Sequence, residues 1–88
     1  MTMVFRGRHQ LDAHRRLRPE RDDLVLVVDG VVEAFLAVDA EPPVAPRHLA
    51  TLRAGQALPG TGWAGELGPG EHVELLGNGT ATVRLLPP

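Results

Sequence analysis

The histidines and carboxylates are the residues of this chain whose types could do chemistry. Four histidines occur: His9, His14, His48 and His72. A metal site on a β-strand takes ligands from alternate positions, because alternate residues share one face. His72 and Glu74 have that spacing, and His48 could join them from another strand. This set falls short of a usual ligand set, so we expect no metal and no cofactor and keep His48, His72 and Glu74 as the alternative.

The sequence contains few residues that could act as a catalytic nucleophile. The chain contains no serine and no cysteine, which excludes serine and cysteine nucleophiles and any disulfide framework. Threonine nucleophiles need an N-terminal amine or a base partner, and the sequence shows neither. No pair of carboxylates is placed by spacing alone for acid–base work. We therefore expect a protein that is not an enzyme.

A glycine-rich loop carries the single tryptophan. Residues 60–65 read Gly-Thr-Gly-Trp-Ala-Gly, which fits a dinucleotide fingerprint by letters. The fingerprint requires a helix that starts at the loop, and the glycines and proline that follow cannot form one. Trp63 is interpreted as an anchor of the loop or a contact for a partner. With Glu66 nearby, it marks the best candidate binding surface.

The elements that must position these residues read as strands. Alternation and apolar runs predict strands over residues 24–28, 31–38, 47–53, 71–76 and 80–86, with a short ALPG segment between the third and fourth. Asp29-Gly30 predicts a type I′ hairpin turn, and Gly77-Asn78-Gly79 predicts a second hairpin turn. The runs beside Asp29-Gly30 are apolar on both faces, which requires a rolled or sandwiched sheet, or a partner subunit.

The charge is divided unevenly along the chain. Residues 1–21 carry six arginines against two acids, and residues 22–88 carry three arginines against nine acids. We therefore divide the chain into a basic N-terminal arm, 1–21, and a β-roll domain, 22–88. Residues 1–6 could form an edge strand, and residues 9–18 are weakly helical up to Pro19.

The arm could contact nucleic acid or anionic lipid, but it has no interleaved aromatic residues. We expect it to lie on the acidic body of its own or a neighbouring chain. No apolar run is long enough to span a membrane, and the N-terminus lacks a signal-peptide pattern. These features predict a cytoplasmic protein with no membrane partner.

The order of elements resembles the cyclic-nucleotide-binding-like β-roll, a relative of the cupin jelly roll. The matching residues are VVDGVVEAFLAV, RHLATLRAGQALPG, AGEL at 64–67 and TATVR at 80–84. They are most similar to the small N-terminal domain of nitrile-hydratase-leader-microcin (NHLM) type bacteriocin exporters. The resemblance implies a β-roll and an association with peptide natural product export or maturation.

The resemblance also implies a nucleotide site that this chain departs from. Nucleotide-binding members place an arginine on the cyclic phosphate, where this chain has Gly79. Glu66 matches the acid that contacts the ribose. A guanidinium suits the phosphate because it donates two charge-assisted hydrogen bonds, and glycine cannot replace it. We therefore expect cyclic nucleotide binding to be lost.

These observations predict an all-β fold, a small double-stranded β-helix or jelly-roll with a short N-terminal arm or helix. The first functional hypothesis is a non-catalytic binding or regulatory module with a protein or peptide partner, acting as a homo-oligomer. The alternatives are a small cupin-like metal enzyme or sensor and a degenerate cyclic nucleotide sensor. The candidate residues for ligand or partner binding are Trp63, Glu66, Arg47, His48 and Arg84.

Overall fold

The fold is all-β. A computed structural model of the chain describes residues 7–20, 23–59 and 67–86. Over these residues there are strands and no helix, and therefore no helix with the length and apolar character needed to cross a membrane. The strands are β1 (Arg8–Leu11), β2 (Leu24–Asp29), β3 (Val31–Val38), β4 (Arg47–Arg53), β5 (Ala57–Pro59), β6 (Glu71–Gly77) and β7 (Ala81–Leu86).

The strands form two antiparallel sheets with one shared order. Sheet A has the order β1-β7-β2-β5, and sheet B has the order β4-β3-β6. Leu17 adds a bridge to Leu75 on the outer side of β6. Two strands that are neighbours in one sheet are therefore connected along the chain to two strands that are neighbours in the other sheet. The chain therefore forms one antiparallel layer of four long, bent strands, which we call ribbons. The layer is folded over, so that one half of each ribbon lies in sheet A and the other half lies in or beside sheet B.

The predicted strands are confirmed, but both predicted hairpins are wrong. β2 pairs with β7, and β3 pairs with β6, so Asp29-Gly30 joins two sheets instead of two paired strands. The turn is not type I′ either, because Gly30 has a positive φ of 80° and Asp29 does not. Residues 77–80 likewise carry the chain from sheet B to sheet A. The physical reason is that β2 and β3 pair with the distant strands β7 and β6, and the crossing at Asp29-Gly30 places the inner faces of β2 and β3 on opposite sides of one core.

The corners between the sheets touch each other. The Asn78 N–H donates to the Val31 carbonyl at 2.9 Å, and the Gly55 N–H donates to the Val27 carbonyl at 2.9 Å. A Cβ on Gly30 would lie 2.6 Å from the Thr80 carbonyl oxygen. Close backbone contacts therefore connect the corners where the chain passes from one sheet to the other. Glycine is required at position 30, where two corners meet.

The core lies between the two sheets. Alternation along each strand turns one side chain in two towards it. Sheet A contributes Leu11, Val25, Val27, Leu58, Ala81, Val83 and Leu85, and sheet B contributes Val32, Ala34, Leu52, Val73 and Leu75. Small and branched aliphatic side chains fill this interior, so every aromatic or charged residue of the described strands lies elsewhere.

The basic arm is not helical, and the prediction of a helix over residues 9–18 is wrong. Residues 8–11 form an edge strand on β7, and Leu11 is buried in the core. The Asp12 carboxylate accepts hydrogen bonds from the His14 and Arg15 N–H groups at 2.7 and 2.8 Å, which turns the chain. A short segment with a thin apolar stripe gains more from pairing with β7 than from isolated helical turns. The predicted edge strand at 1–6 and the domain boundary at 21/22 lie outside the described residues.

Candidate functional site

Sheet B presents a mixed apolar and charged surface on the side that faces away from the core. We call this surface the outer face of sheet B. It consists of Val31, Glu33, Phe35 and Ala37 on β3, His48 and Thr51 on β4, and His72, Glu74 and Leu76 on β6. The register sets His48 and Glu74 on either side of Phe35 and sets Thr51 and Leu76 on either side of Glu33. Two residues singled out by sequence reasoning, His48 and Glu74, therefore lie on one surface, on opposite sides of Phe35.

The first polar cluster is centred on Glu33. Its carboxylate accepts a hydrogen bond from the Thr51 hydroxyl and one from the Asn78 amide at 3.1 Å, and it lies 2.9 Å from His48 Nε2. The Thr51 hydroxyl and His48, in that order, hold the pKa of Glu33 below its usual range, because both stabilise the ionised form. Glu33 is therefore a fixed carboxylate at neutral pH.

The second polar cluster is centred on Glu74. His72 Nε2 lies 2.9 Å from one carboxylate oxygen, and Arg16 Nη1 lies 3.4 Å from the other. His72, first, and Arg16 lower the pKa of Glu74 against the opposing effect of burial. The His72 side chain is 12% exposed, and its Nδ1 has no hydrogen-bond partner among the described residues; the nearest acid is Asp39 at 3.9 Å. This cluster joins the arm, β6 and the end of β3.

Phe35 lies between the two clusters. Its ring meets the His48 ring edge-on, with centroids 5.2 Å apart and planes at 73°, a geometry that aromatic rings favour. Beside it runs an open groove of about 130 Å³ lined by Arg16, Phe35, Ala37, Pro46, Glu74 and Leu76. An aromatic residue thus forms one wall of an apolar depression whose rim is charged.

The three residues of the alternative metal site do not converge. His48 and Glu74 are separated by Phe35 on the intervening strand, so their backbones lie two strand spacings, roughly 10 Å, apart. Each histidine is instead paired with a nearby carboxylate, His48 with Glu33 and His72 with Glu74. Within residues 7–20, 23–59 and 67–86, no group of three histidines and acids is placed to hold a metal ion.

The Glu33 cluster contains a threonine, a histidine and a carboxylate, the residue types of a nucleophile, a base and an orienting acid. In a working relay the imidazole stands between the other two and uses a different nitrogen for each. Here His48 Nε2 faces both Glu33, at 2.9 Å, and the Thr51 hydroxyl, at 3.3 Å. The Thr51 hydroxyl also bonds directly to the acid. The arrangement orders three polar side chains and does not activate the hydroxyl.

The remaining predicted site residues are dispersed. Arg47 begins β4 and is exposed at the edge of sheet B, opposite Leu36. Arg84 lies on sheet A, between Arg8 and Leu26 on the neighbouring strands. Trp63 and Glu66, which the sequence predicts to mark the best candidate binding surface, lie outside the described residues. The structure brings His48 together with Glu74 and His72 on one face, and it does not bring Arg84 to that face.

The resemblance predicts that Gly79 occupies the position at which nucleotide-binding members hold the phosphate. Gly79 stands in the exposed corner after β6 with a φ of 76°, and a Cβ there would meet nothing within 4 Å. There is space for a side chain, but an arginine would be strained in the left-handed conformation.

Sequence reasoning did not identify Glu33, Phe35 and Arg16 as site residues. A signal for the first two existed: Glu33 and Phe35 are two apart in an apolar strand, so they share a face. The direction of that face depended on the register with β4 and β6. Arg16 had no such signal, because its approach to Glu74 depends on how the arm crosses the edge of sheet B. Comparisons of the chain with protein-family models, with curated proteins and with solved structures found no match.

Proposed function

We propose that this chain is a non-catalytic binding module that contacts a protein or peptide partner through the outer face of sheet B. The proposal includes a minimal β-roll of the cyclic-nucleotide-binding or cupin type and a role in peptide natural product export or maturation, which rest on the resemblance of the sequence. It also includes a cytoplasmic location, which the cysteine-free composition supports.

The observation that carries the proposal is the position of Phe35. It is the large aromatic side chain of β3, and it lies outside the core, against the groove with Ala37, Pro46 and Leu76. The core is complete without it, because aliphatic residues fill the space between the sheets. Aromatic residues in apolar depressions with a polar rim are the usual anchors of protein interfaces.

The polar groups around Phe35 support binding more than bond-making. Glu33 and Glu74 have lowered pKa values and are held by neighbouring donors, so they are ionised acceptors in fixed positions. A general acid or base needs a pKa near the working pH. The pKa values of Glu33 and Glu74 are lowered, which takes them further from neutral pH. Fixed acceptors suit the recognition of donor groups on a partner.

The test is selection of peptides from a random display library against the immobilised full-length protein. The wild type is compared with Phe35→Ser and with Leu26→Ser, a half-buried residue on the outer face of sheet A. We expect wild type and Leu26→Ser to enrich the same peptides and Phe35→Ser to lose them. Circular dichroism and thermal melts of all three proteins establish that each is folded.

Two outcomes contradict the proposal. One is an absence of enriched peptides on the wild type, or equal enrichment on Phe35→Ser. The other is the presence of stoichiometric zinc, iron or manganese in the purified protein and its loss in His72→Ala. That result would favour the alternative hypothesis of a cupin-like metal site with His48, His72 and Glu74.

A further inference from the structure

The outer face of sheet A places two arginines directly opposite each other. Arg8 on β1 and Arg84 on β7 are partners in the register, so their side chains leave the sheet on the same side. That side faces away from the core, because Val83 and Leu85, the neighbours of Arg84 along β7, are buried. Both arginines are exposed. Two positive charges are therefore adjacent on the surface of sheet A.

The charge of this pair is not balanced by an acid in the part of the chain that the structure describes. There, no carboxylate forms an ion pair with Arg8 or Arg84. Asp29, at the corner end of β2, is opposite Thr82 in the register and not opposite either arginine. Like charges directly opposite each other on neighbouring strands destabilise a sheet. A local feature that costs stability without a compensating contact is typical of a functional site.

Apolar residues lie beside the arginine pair on the same face. Leu26 on β2 is opposite Arg84, and Ala57 on β5 is opposite Leu26, so one row of the sheet leads from the charged pair to apolar side chains. Leu24 and Leu86 form a second apolar pair, two residues further along β2 and β7. All three leucines are half-buried. A ligand held by the arginines therefore has an apolar surface next to its charged group.

A phosphate is the group that matches two adjacent guanidinium groups best. A phosphate monoester carries a charge of about −1.5 to −2 at pH 7 and has three strong acceptor oxygens. Arginine donates paired, charge-assisted hydrogen bonds to such oxygens in a fixed fork geometry. A carboxylate carries a smaller charge and fewer acceptor oxygens, so it would leave part of the repulsion between the arginines in place.

From this we propose that Arg8 and Arg84 bind the phosphate group of an organic phosphate monoester, whose apolar part lies on Leu26. The inference goes beyond the proposed function, because it concerns the opposite sheet and a ligand of another class. The site also differs from the position that the resemblance assigns to a phosphate, since Gly79 lies in the corner between β6 and β7. Because the ligand binds the folded chain and neutralises charges that repel each other, it should raise the melting temperature.

The experiment is an NMR titration of the full, isotope-labelled chain with phenyl phosphate at constant ionic strength, followed at the backbone amides. The wild type is compared with Arg8→Gln, Arg84→Gln and Arg53→Gln. Arg53 is exposed on β4 opposite Val31, so this control removes the same charge from a strand position that has no arginine across from it. We expect the first two variants each to raise the dissociation constant at least about tenfold and the control to leave it within about twofold.

Thermal melts separate loss of the site from loss of the fold. Melts without ligand establish that all four proteins are folded. Phenyl phosphate should raise the melting temperature of the wild type and of Arg53→Gln, and it should raise that of Arg8→Gln and Arg84→Gln much less. An equal rise in all four proteins contradicts the proposed site.

Vesicles of phosphatidylcholine with phosphatidate present the same phosphate group on a lipid, and their cosedimentation with the protein distinguishes the source of the ligand. A response to phenyl phosphate assigns a soluble ligand. Cosedimentation without that response, lost in Arg8→Gln and Arg84→Gln and kept in Arg53→Gln, assigns a lipid headgroup.

Three results overturn the inference. They are a wild type that responds to neither probe, a response that Arg8→Gln and Arg84→Gln leave unchanged, and an affinity for inorganic phosphate equal to that for phenyl phosphate, which would contradict the apolar contact with Leu26. Peptide selection through Phe35 is independent of all three, so the inference and the proposed function fail separately.

Discussion

The carboxylate of Glu33 shows how one residue links stability to the surface that we propose for binding. It is the acid of an otherwise apolar strand, and it accepts hydrogen bonds from Thr51 and Asn78 while lying beside His48. Hydrogen bonds to a charged group are worth more than those between neutral groups. Glu33 thus ties β3 to β4 and to the corner after β6, and it holds His48 against Phe35.

The lowered pKa of Glu33 makes a prediction about acid. Because the pKa is lower in the folded chain than its ordinary value of 4.5, the ionised form favours folding. That contribution is complete above the ordinary value and is lost as the pH falls through the folded value. We expect Glu33→Gln to lower the free energy of unfolding at pH 7 by about 1 kcal/mol, and the difference from wild type to shrink below about pH 4.

Urea unfolding at a series of pH values measures this difference. Glu41→Gln, a change in the exposed loop between β3 and β4, is the control and should alter stability by less than about 0.5 kcal/mol. A Glu33→Gln effect that does not change with pH contradicts the explanation.

At the scale of elements, the corners determine the architecture. Each ribbon bends where it passes from one sheet to the other, and the bends of β2–β3, β4–β5 and β6–β7 lie side by side, joined by backbone hydrogen bonds. A local sequence such as Asp29-Gly30 is compatible with a hairpin turn within one sheet and with a bend between two sheets. The choice between the two depends on whether the next strand finds its partner in the same sheet or in the opposite one.

Two glycines at these corners allow a matched comparison. Gly30 and Gly55 both have positive φ, at 80° and 91°, but a Cβ on Gly55 meets nothing within 4 Å, whereas one on Gly30 meets the Thr80 carbonyl oxygen at 2.6 Å. We expect Gly55→Ala to cost about 1–2 kcal/mol from backbone conformation alone. Gly30→Ala should cost roughly 1–3 kcal/mol more, because two corners must separate.

Thermal and urea unfolding of the two variants provide the comparison. Equal losses of stability would show that the backbone conformation accounts for the whole effect and that the contact between the corners contributes nothing.

At the scale of the whole molecule, the two sheets cannot be separate folding units. Every ribbon contributes to both, and the core between them is made of side chains from each. A loss in one sheet must therefore be transmitted to the other through the continuous strands as well as through the packed interior. This differs from a sandwich in which each sheet is assembled from its own hairpins.

Hydrogen exchange of backbone amides tests this cooperation. Val25 lies fully buried in sheet A, and Val25→Ala should destabilise the protein by about 2 kcal/mol through lost burial and a small cavity. We expect the slowest amides of β3 and β6 in sheet B to lose as much protection as those of β2 and β7. Val44→Ala, in an exposed loop at 56% exposure, should leave protection unchanged. Sheet B amides that keep their protection in Val25→Ala would show that the sheets open independently.

The sequence by itself determined where the strands are, because side-chain alternation and apolar runs are local properties that a pleated strand must satisfy. The segments 31–38 and 47–53 were predicted to the residue. Sequence alone also placed His72 and Glu74 on one face, since they are two apart on one strand. The pairing of His48 with Glu33, which lie on neighbouring strands, needed the register between those strands.

The tertiary structure decided the rest. It determined that Asp29-Gly30 joins two sheets, that residues 8–11 form a strand and that Arg16 reaches Glu74. Each of these outcomes depends on which distant strand is available as a partner, and that choice is made by burying apolar area between two sheets at once. A short segment of sequence does not determine which distant strand becomes the partner.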